Sequence, residues 1–450
     1  MKNNKSPKIA IIGGGISGLA TAYFLRSAGI KSEVFEKDSR VGGLCKSVES
    51  KGFTFDYCGH LLHFKNQKTL PFLKGILKNN LVKHKRNAWV YTFDTSTHYP
   101  FQVNLHGLPP RIVKKCMVDF IKASTSRKDK KPHNFLEWCR FNLGNGITDY
   151  FMYPYNRKFW TLDPAKLSYE WVNNFIVLPN LKQVIDGTLE ESKRNFGYHS
   201  FFWYPRRGGI EELIKGLAGP LRRNIHINHE VEQINTLKKE IVFTNGAVKR
   251  YDFLISTAPL PSMKKIVKNL SKDITPFFKD LKWVSIFNLN LGIKGIIKPG
   301  WHWIYFPEKK YKFFRVGFPH NFSNTISPPN RSSLYIEISY SKSRRLRRKN
   351  IIDRIVKDLI KSDIIPSRDC IEEELVNDIV YAYPVYDFNW AGARKILLDH
   401  LRNRGIISIG RFGSWRYMSM EDVILEARAT AGNVIKKVTG HKSAAGKNIC

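Results

Sequence analysis

The residues with the clearest chemical purpose stand near the start of the chain, where Gly13, Gly15 and Gly18 space the run GGGISG as G-x-G-x-x-G. Glycines at that spacing let a turn form without Cβ atoms and bring backbone N–H groups close to a pyrophosphate, while a helix N-terminus favours the anion. Ser17 lies within the same run. Glu36 follows eighteen residues after Gly18, where a carboxylate accepts hydrogen bonds from ribose hydroxyls. Together these residues predict dinucleotide binding. The thiols point to no chemistry of their own: Cys45, Cys58, Cys116, Cys139, Cys370 and Cys450 include no C-x-x-C pair. That spacing argues against a zinc site or a disulfide framework and for reduced cysteines. No metal site is expected.

The elements around the glycines are those that such a site needs. Residues 8–14 (KIAIIGG) are a short β-branched run ending in glycines, residues 17–28 have helix-forming composition closed by Gly29, and residues 32–36 (SEVFE) read as a second strand. Strand, glycine turn, helix and strand within about thirty residues make the mononucleotide-binding half of a doubly wound sheet. Further strands are expected at 225–234, in a hairpin over 239–248 about Asn245-Gly246, at 253–257 and at 406–410, with a helix over 420–434. The two ends of the chain should therefore pack together. Between them, residues from about 70 to 200 read as helical and aromatic, whereas 280–340 alternate in strand fashion.

Composition sets the outer bounds. At 450 residues, 42% hydrophobic and 13% aromatic, the chain has material for a large core, which excludes disorder as the default. The apolar stretch from Ile9 to Ile30 is broken by glycines and Arg26, so it reads neither as a membrane span nor as a signal peptide. A soluble, cytoplasmic protein is expected. A formal net charge of +36 raises nucleic acid or an anionic membrane as partners. Yet lysines and arginines run along the whole chain, densest over 342–349, which is the pattern of a solvated basic surface. No nucleic-acid partner is predicted; peripheral contact with an acidic membrane surface stays open.

Which dinucleotide is bound follows from a resemblance. Arg40-Val41-Gly42-Gly43 resembles the second glycine signature of the glutathione-reductase-like FAD superfamily, shared by amine oxidases and protoporphyrinogen oxidases. FAD is thus the implied cofactor, contacted by Arg40, Gly42, Gly43 and Leu44, by the strand residue Val231 beside adenine, by Gly410 and Arg411 near the pyrophosphate, and by Gly59 and Met420. Within that superfamily the chain is similar almost end to end to UDP-galactopyranose mutases, above all the eukaryotic type. Blocks match in order: FDYCGHLLHF from Phe55, HYPFQVN from His98, FMYPYNRKFW from Phe151, LPNLKQV from Leu178, WYPRRGGI from Trp203, WIYFPE from Trp303, FFRVGF from Phe313, AYP from Ala382 and GRFGSWRY from Gly410.

The resemblance implies an α/β fold: a glutathione-reductase-like, Rossmann-type FAD-binding domain with inserted helical and antiparallel β-sheet substrate domains. The expected boundaries are 1–70, 200–265 and 400–438 for the FAD domain, 71–199 for a mainly helical domain, 266–399 for a sheet-containing domain, and a disordered tail over 439–450. It also implies an activity, the interconversion of pyranose and furanose forms of UDP-galactose or a related UDP-sugar, as in cell-surface polysaccharide biosynthesis. In that family reduced FAD is the nucleophile, its N5 forming a covalent adduct with the sugar, and NAD(P)H is a candidate reductant. Site residues follow by position. Tyr99, Phe101, Gln102, Phe151, Tyr155 and Asn156 resemble the uridine pocket, Trp160 and Trp303 lie near the sugar, and Tyr305, Tyr383 and Tyr417 hydrogen-bond the diphosphate. His60 stands beside the flavin, its carbonyl answering the protonated N5, and Arg315 is one of two diphosphate-clamping arginines.

The other clamp is missing, because its position falls on Phe175, next to Asn173 and Asn174. Either another cation (Arg157, Lys182, Arg206 or Arg207) replaces it or the ligand differs. A second departure is the stretch 418–422, one residue shorter than the eukaryotic pattern and closer to the bacterial one. Phe175 suits the alternative reading, an FAD-dependent oxidoreductase of the amine oxidase or protoporphyrinogen oxidase class with an apolar channel. A third reading, a nucleic-acid-associated flavoprotein, rests on charge alone. The oligomeric state is left open.

Overall fold

The computed structural model describes residues 6–126, 131–172, 175–191, 196–197 and 200–440. The chain is mixed α/β. A five-stranded parallel sheet runs in the order Ile406–Ser408, Phe253–Ser256, Ile9–Ile12, Glu33–Phe35, Ile225–His226. Its central strand, Ile9–Ile12, is buried at every position, as a parallel strand with both faces covered must be. The helix Ile16–Ser27 is buried over most of its circumference and packs on the helix Met420–Thr439. Chain start and chain end thus meet at the glycine turn.

The larger sheet has seven strands, ordered Ile371–Pro384, Trp283–Lys294, Arg331–Tyr340, Arg315–Gly317, Trp303–Tyr305, Ala88–Thr92, Thr95–His98. All neighbours are antiparallel except Trp303–Tyr305 with Ala88–Thr92. The strand Trp283–Lys294 is buried from Val284 to Ile293 on both faces, polar Asn288 and Asn290 included, where alternation was expected. Those amides satisfy one another: Asn288 Oδ1 accepts from Asn290 Nδ2 at 3.0 Å and Asn377 Nδ2 at 3.1 Å.

One expectation needs correcting. The segment 225–234 is not one strand, because Asn228 takes a left-handed backbone (φ 54°) and splits it. Ile225–His226 joins the parallel sheet, whereas Val231–Asn235 joins a separate three-stranded sheet. The stretch 71–199 also supplies the strands Val82–Lys85, Ala88–Thr92 and Thr95–His98 among its helices. At the C-terminal end, Thr439 closes the last helix on Gly440; the rest of the expected tail, with Cys450, lies outside the described residues.

Candidate functional site

Three glycine segments converge at the N-terminus of the first helix. Gly13 has φ 97°, and a Cβ on Gly18 would stand 2.0 Å from the Gly13 carbonyl oxygen, so a side chain there would force the turn apart. A Cβ on Gly43 would lie 3.3 Å from Cα of Gly15, and one on Gly410 would lie 2.5 Å from Oγ of Ser17. Gly42 N–H donates to the Gly14 carbonyl at 2.8 Å, fixing the second signature against the first. Glu36 accepts from Gly14 N–H at 2.7 Å and from Asp38 N–H at 3.0 Å, while the Glu36 carbonyl accepts from His229 N–H at 2.8 Å and so brings the Val231 segment alongside.

This cradle fits a dinucleotide cofactor. Ser17 Oγ is buried without a hydrogen-bond partner, and the helix that begins at Ile16 has no side-chain cap, so its first N–H groups are left for a ligand. Leu44 is partly buried against the hydrophobic core. Arg40 is the exception: one Nη donates to both carboxylate oxygens of Glu211, at 2.7 and 2.8 Å, and the other donates to the Ser47 carbonyl, so these donors serve the protein.

A cleft opens beyond Gly59, Arg411 and Met420. Every residue expected from sequence to act in catalysis or bind substrate lines it, except Phe101. Phe101 is fully buried and stacks on Phe151 with centroids 5.1 Å apart; Phe151 stacks in turn on Tyr155 at 5.4 Å. It supports the ring wall from behind. The helix Tyr153–Trp160 presents Tyr155, Asn156 and Trp160, and a π-helical turn just before it presents Phe151. The facing wall is the hairpin of Trp303–Tyr305 and Arg315–Gly317.

A buried lysine joins the two walls. Lys158 Nζ donates to the carbonyls of Phe306 at 2.7 Å, Glu308 at 3.1 Å and Phe313 at 2.5 Å, all in the hairpin between Tyr305 and Arg315. Burial pushes its pKa well below the usual ammonium range. Nothing in the sequence marked this residue.

The His60 loop is set by two constraints. Cys58 adopts φ 67° and donates its N–H to Asn288 Oδ1 at 3.3 Å. Gly59 lies so close to Tyr335 that a Cβ would come within 2.4 Å of the phenol oxygen. Burial, then the Arg411 charge, push the His60 pKa down to about 4 against a smaller opposite pull from the Tyr57 and Cys58 carbonyls, so the ring is neutral at physiological pH. Its Nδ1 lacks a well-formed hydrogen bond, as do Gln102 Oε1, Trp160 Nε1 and Trp303 Nε1, all in residues that line the cleft. Unpaired buried polar atoms at one surface are what a polar ligand satisfies.

The electrostatics favour an anion. Arg86, Arg315 and Arg411 line the cleft, and among the described residues no Asp or Glu does. Arg315 is nonetheless already paired: Nε and one Nη hold the two oxygens of Glu337, whose side chain is 1% exposed. Burial works against the Arg315 charge, but Glu337 and nearby tyrosines outweigh it and raise the pKa well above the usual range. Burial likewise raises the Tyr99, Tyr155, Tyr383 and Tyr417 pKa values, so these hydroxyls stay protonated and donate without adding charge.

Phe175 lies in the cleft against Tyr417, 4.4 Å between centroids. Of the cations offered in place of the missing clamp, none lines the cleft: Lys182 reaches Asp186 at 3.3 Å and Arg157 reaches the Tyr153 hydroxyl at 2.9 Å. Arg206 and Arg207 also stand outside it, and Asn173 and Asn174 fall outside the described residues. Sequence reasoning missed Arg86, Tyr335 and Glu337. Glu337, a lone acid inside the apolar run LYIEIS, was a readable signal of a buried ion pair; Arg86 sits in a loop with no motif.

Comparison with known proteins agrees with this geometry. The family model described as flavin containing amine oxidoreductase matches residues 16–391. Curated relatives include the 4,4'-diapophytoene desaturase (4,4'-diaponeurosporene-forming) of Staphylococcus aureus (strain COL), 22% identical over 318 residues, 60% of this chain. The chain spans 58% of that relative's length. Among solved structures, reduced UDP-galactopyranose mutase superposes with TM-score 0.91 at 28% identity, over 96% of this chain and 94% of that one. Cyclohexylamine oxidase from Brevibacterium oxydans IH-35A superposes with TM-score 0.69 over 96% of this chain and 100% of that one; at 13% identity it attests the fold alone. The expected α/β, FAD-binding architecture is the one observed. Among the described residues, no helix is long and apolar enough to cross a membrane.

Proposed function

The chain belongs to the flavin-containing amine oxidoreductase family and is a flavin enzyme, and from that premise we propose that it is a nucleotide-sugar mutase acting on UDP-galactopyranose or a close relative. One observation carries the reading: the rings and amides suited to a uridine and the tyrosines and arginine suited to a diphosphate share a cleft with the His60 loop. Reduced FAD, when bound, supplies a nucleophile for the anomeric carbon.

The chain's own residues do the rest. The glycine cradle and Ser17 hold the cofactor's pyrophosphate, and the Phe151 and Tyr155 rings stack on the base while Gln102 and Asn156 read its edge. Tyr305, Tyr383 and Tyr417 donate to phosphate oxygens, and Arg315 offers the departing diphosphate the Nη that Glu337 does not hold. The aromatic walls keep water from the reacting centre. His60 enters neutral, so it adds no competing cation beside the flavin. Reduction by NAD(P)H belongs to the same proposal.

A redox reading is favoured by Phe175, which makes part of the cleft apolar, and by the desaturase relatives. One assay separates the two. Protein reduced with dithionite is given UDP-galactopyranose and the products are resolved by chromatography. Furanose product with the flavin still reduced supports the mutase; substrate turnover that consumes reduced or oxidised flavin stoichiometrically, without ring contraction, refutes it.

A further inference from the structure

A diphosphate carries charge on both phosphates, yet the reading above gives it one arginine, and that arginine has two of its three nitrogens committed to Glu337. The cleft offers two more guanidinium groups. Arg86 lies over Tyr99, 5.0 Å from the ring centroid, which places it with the nucleobase wall. Arg411 lies elsewhere: its carbon Cζ is 5.2 Å from the Tyr417 centroid and 5.6 Å from that of Tyr383, the tyrosines assigned to the phosphates. Its Nε donates to the Met418 carbonyl at 2.9 Å, and one Nη donates to the same oxygen. Among the described residues it pairs with no carboxylate, so its charge is not neutralised as that of Arg315 is. The residue that stands where a second clamp would be, Phe175, packs on the same Tyr417.

We propose that Arg411 is the second diphosphate cation, supplying the charge that an arginine at position 175 would otherwise supply. The Met418 carbonyl engages Nε and one Nη and so holds the guanidinium in place, leaving the other Nη to donate to a phosphate oxygen and the charge itself undiminished. This extends the sequence expectation for Arg411, which gave it to the cofactor alone, and it rests on the nucleotide-sugar reading.

The test uses FAD-loaded, dithionite-reduced protein titrated calorimetrically with UDP and with uridine. R411Q keeps an amide donor for the Met418 carbonyl and removes the charge. UDP affinity should fall about 10- to 100-fold, the range of one charge-assisted hydrogen bond, with uridine affinity and FAD content unchanged. Adding F175R to R411Q should restore at least about tenfold of the loss. UDP affinity within twofold of the parent overturns the proposal, and so does loss of FAD from R411Q, which would return Arg411 to the cofactor. A UDP loss that F175R leaves uncorrected refutes the exchange of one arginine for the other. Failure of the parent chain to bind UDP at all is a different result: it refutes the nucleotide-sugar reading itself.

Discussion

Replacing Glu337 by Gln should move stability and ligand affinity in opposite directions. The Glu337 side chain is 1% exposed and that of Arg315 18%, so the pair is shielded from solvent and each charge depends on the other. Removing one partner of a buried pair costs about 3 to 5 kcal/mol; glutamine keeps the shape and one acceptor, which puts E337Q near about 3 kcal/mol. The cleft, however, gains a full positive charge at Arg315. At an effective dielectric of about 20, a unit charge some 10 Å from a phosphate is worth about 1.7 kcal/mol, or more than tenfold in UDP affinity. Denaturant unfolding of the FAD-loaded protein reads the first effect, and calorimetric titration with UDP at two ionic strengths reads the second. The affinity gain should shrink as salt rises. If E337Q binds UDP more weakly than the parent while keeping its FAD, Glu337 is not a neutralising counter-charge and the electrostatic account of the cleft fails.

Two further outcomes are expected. Asp56 is buried, accepting from Ser47 Oγ and Tyr204 Oη at 2.6 Å each and from Ile210 N–H at 3.1 Å, yet burial outweighs these donors and raises its pKa from 3.8 to about 6. A carboxyl raised on folding contributes stability that is complete below its unfolded pKa and lost as pH climbs through its folded one. Relative to D56N, the parent should therefore lose about 2 kcal/mol of unfolding free energy between pH 4 and pH 7; a pH-independent difference would rule this out. G18A places a Cβ 2.0 Å from the Gly13 carbonyl and should abolish FAD retention, read as the ratio of flavin to protein absorbance after gel filtration. Stoichiometric FAD in G18A would remove the glycine turn from the cofactor site.

What the sequence made legible was local. The glycine turn could be read because strand, turn, helix and acid all fall within a short stretch, and the structure adds only that Gly42, Gly43 and Gly410 close on it from elsewhere. The hairpin of Ala88–Thr92 and Thr95–His98 escaped notice for a physical reason. Its two-residue turn is made by Phe93 and Asp94, both at φ 54°, where a turn signal would normally be Asn-Gly or Asp-Gly. Asn228 broke the segment 225–234 by the same left-handed geometry, with no glycine to announce it.

The site's electrostatics were the least legible part, because they depend on register. Arg315 and Glu337 meet as direct cross-strand partners between Arg315–Gly317 and Arg331–Tyr340, and no count of charges predicts which residue faces which. A net charge of +36 made every cation a plausible substitute for the missing clamp, yet among the described residues only three arginines line the cleft. One of those is neutralised by Glu337 and one stands over the nucleobase wall. If Arg411 is the second phosphate cation as proposed, the anion is set by where Arg411 is held, and the Met418 carbonyl that holds it belongs to the segment just before the C-terminal helix, which packs on the helix of the glycine turn. On that proposal, cofactor cradle and diphosphate clamp share that support, so a change that shifts one should be felt by the other.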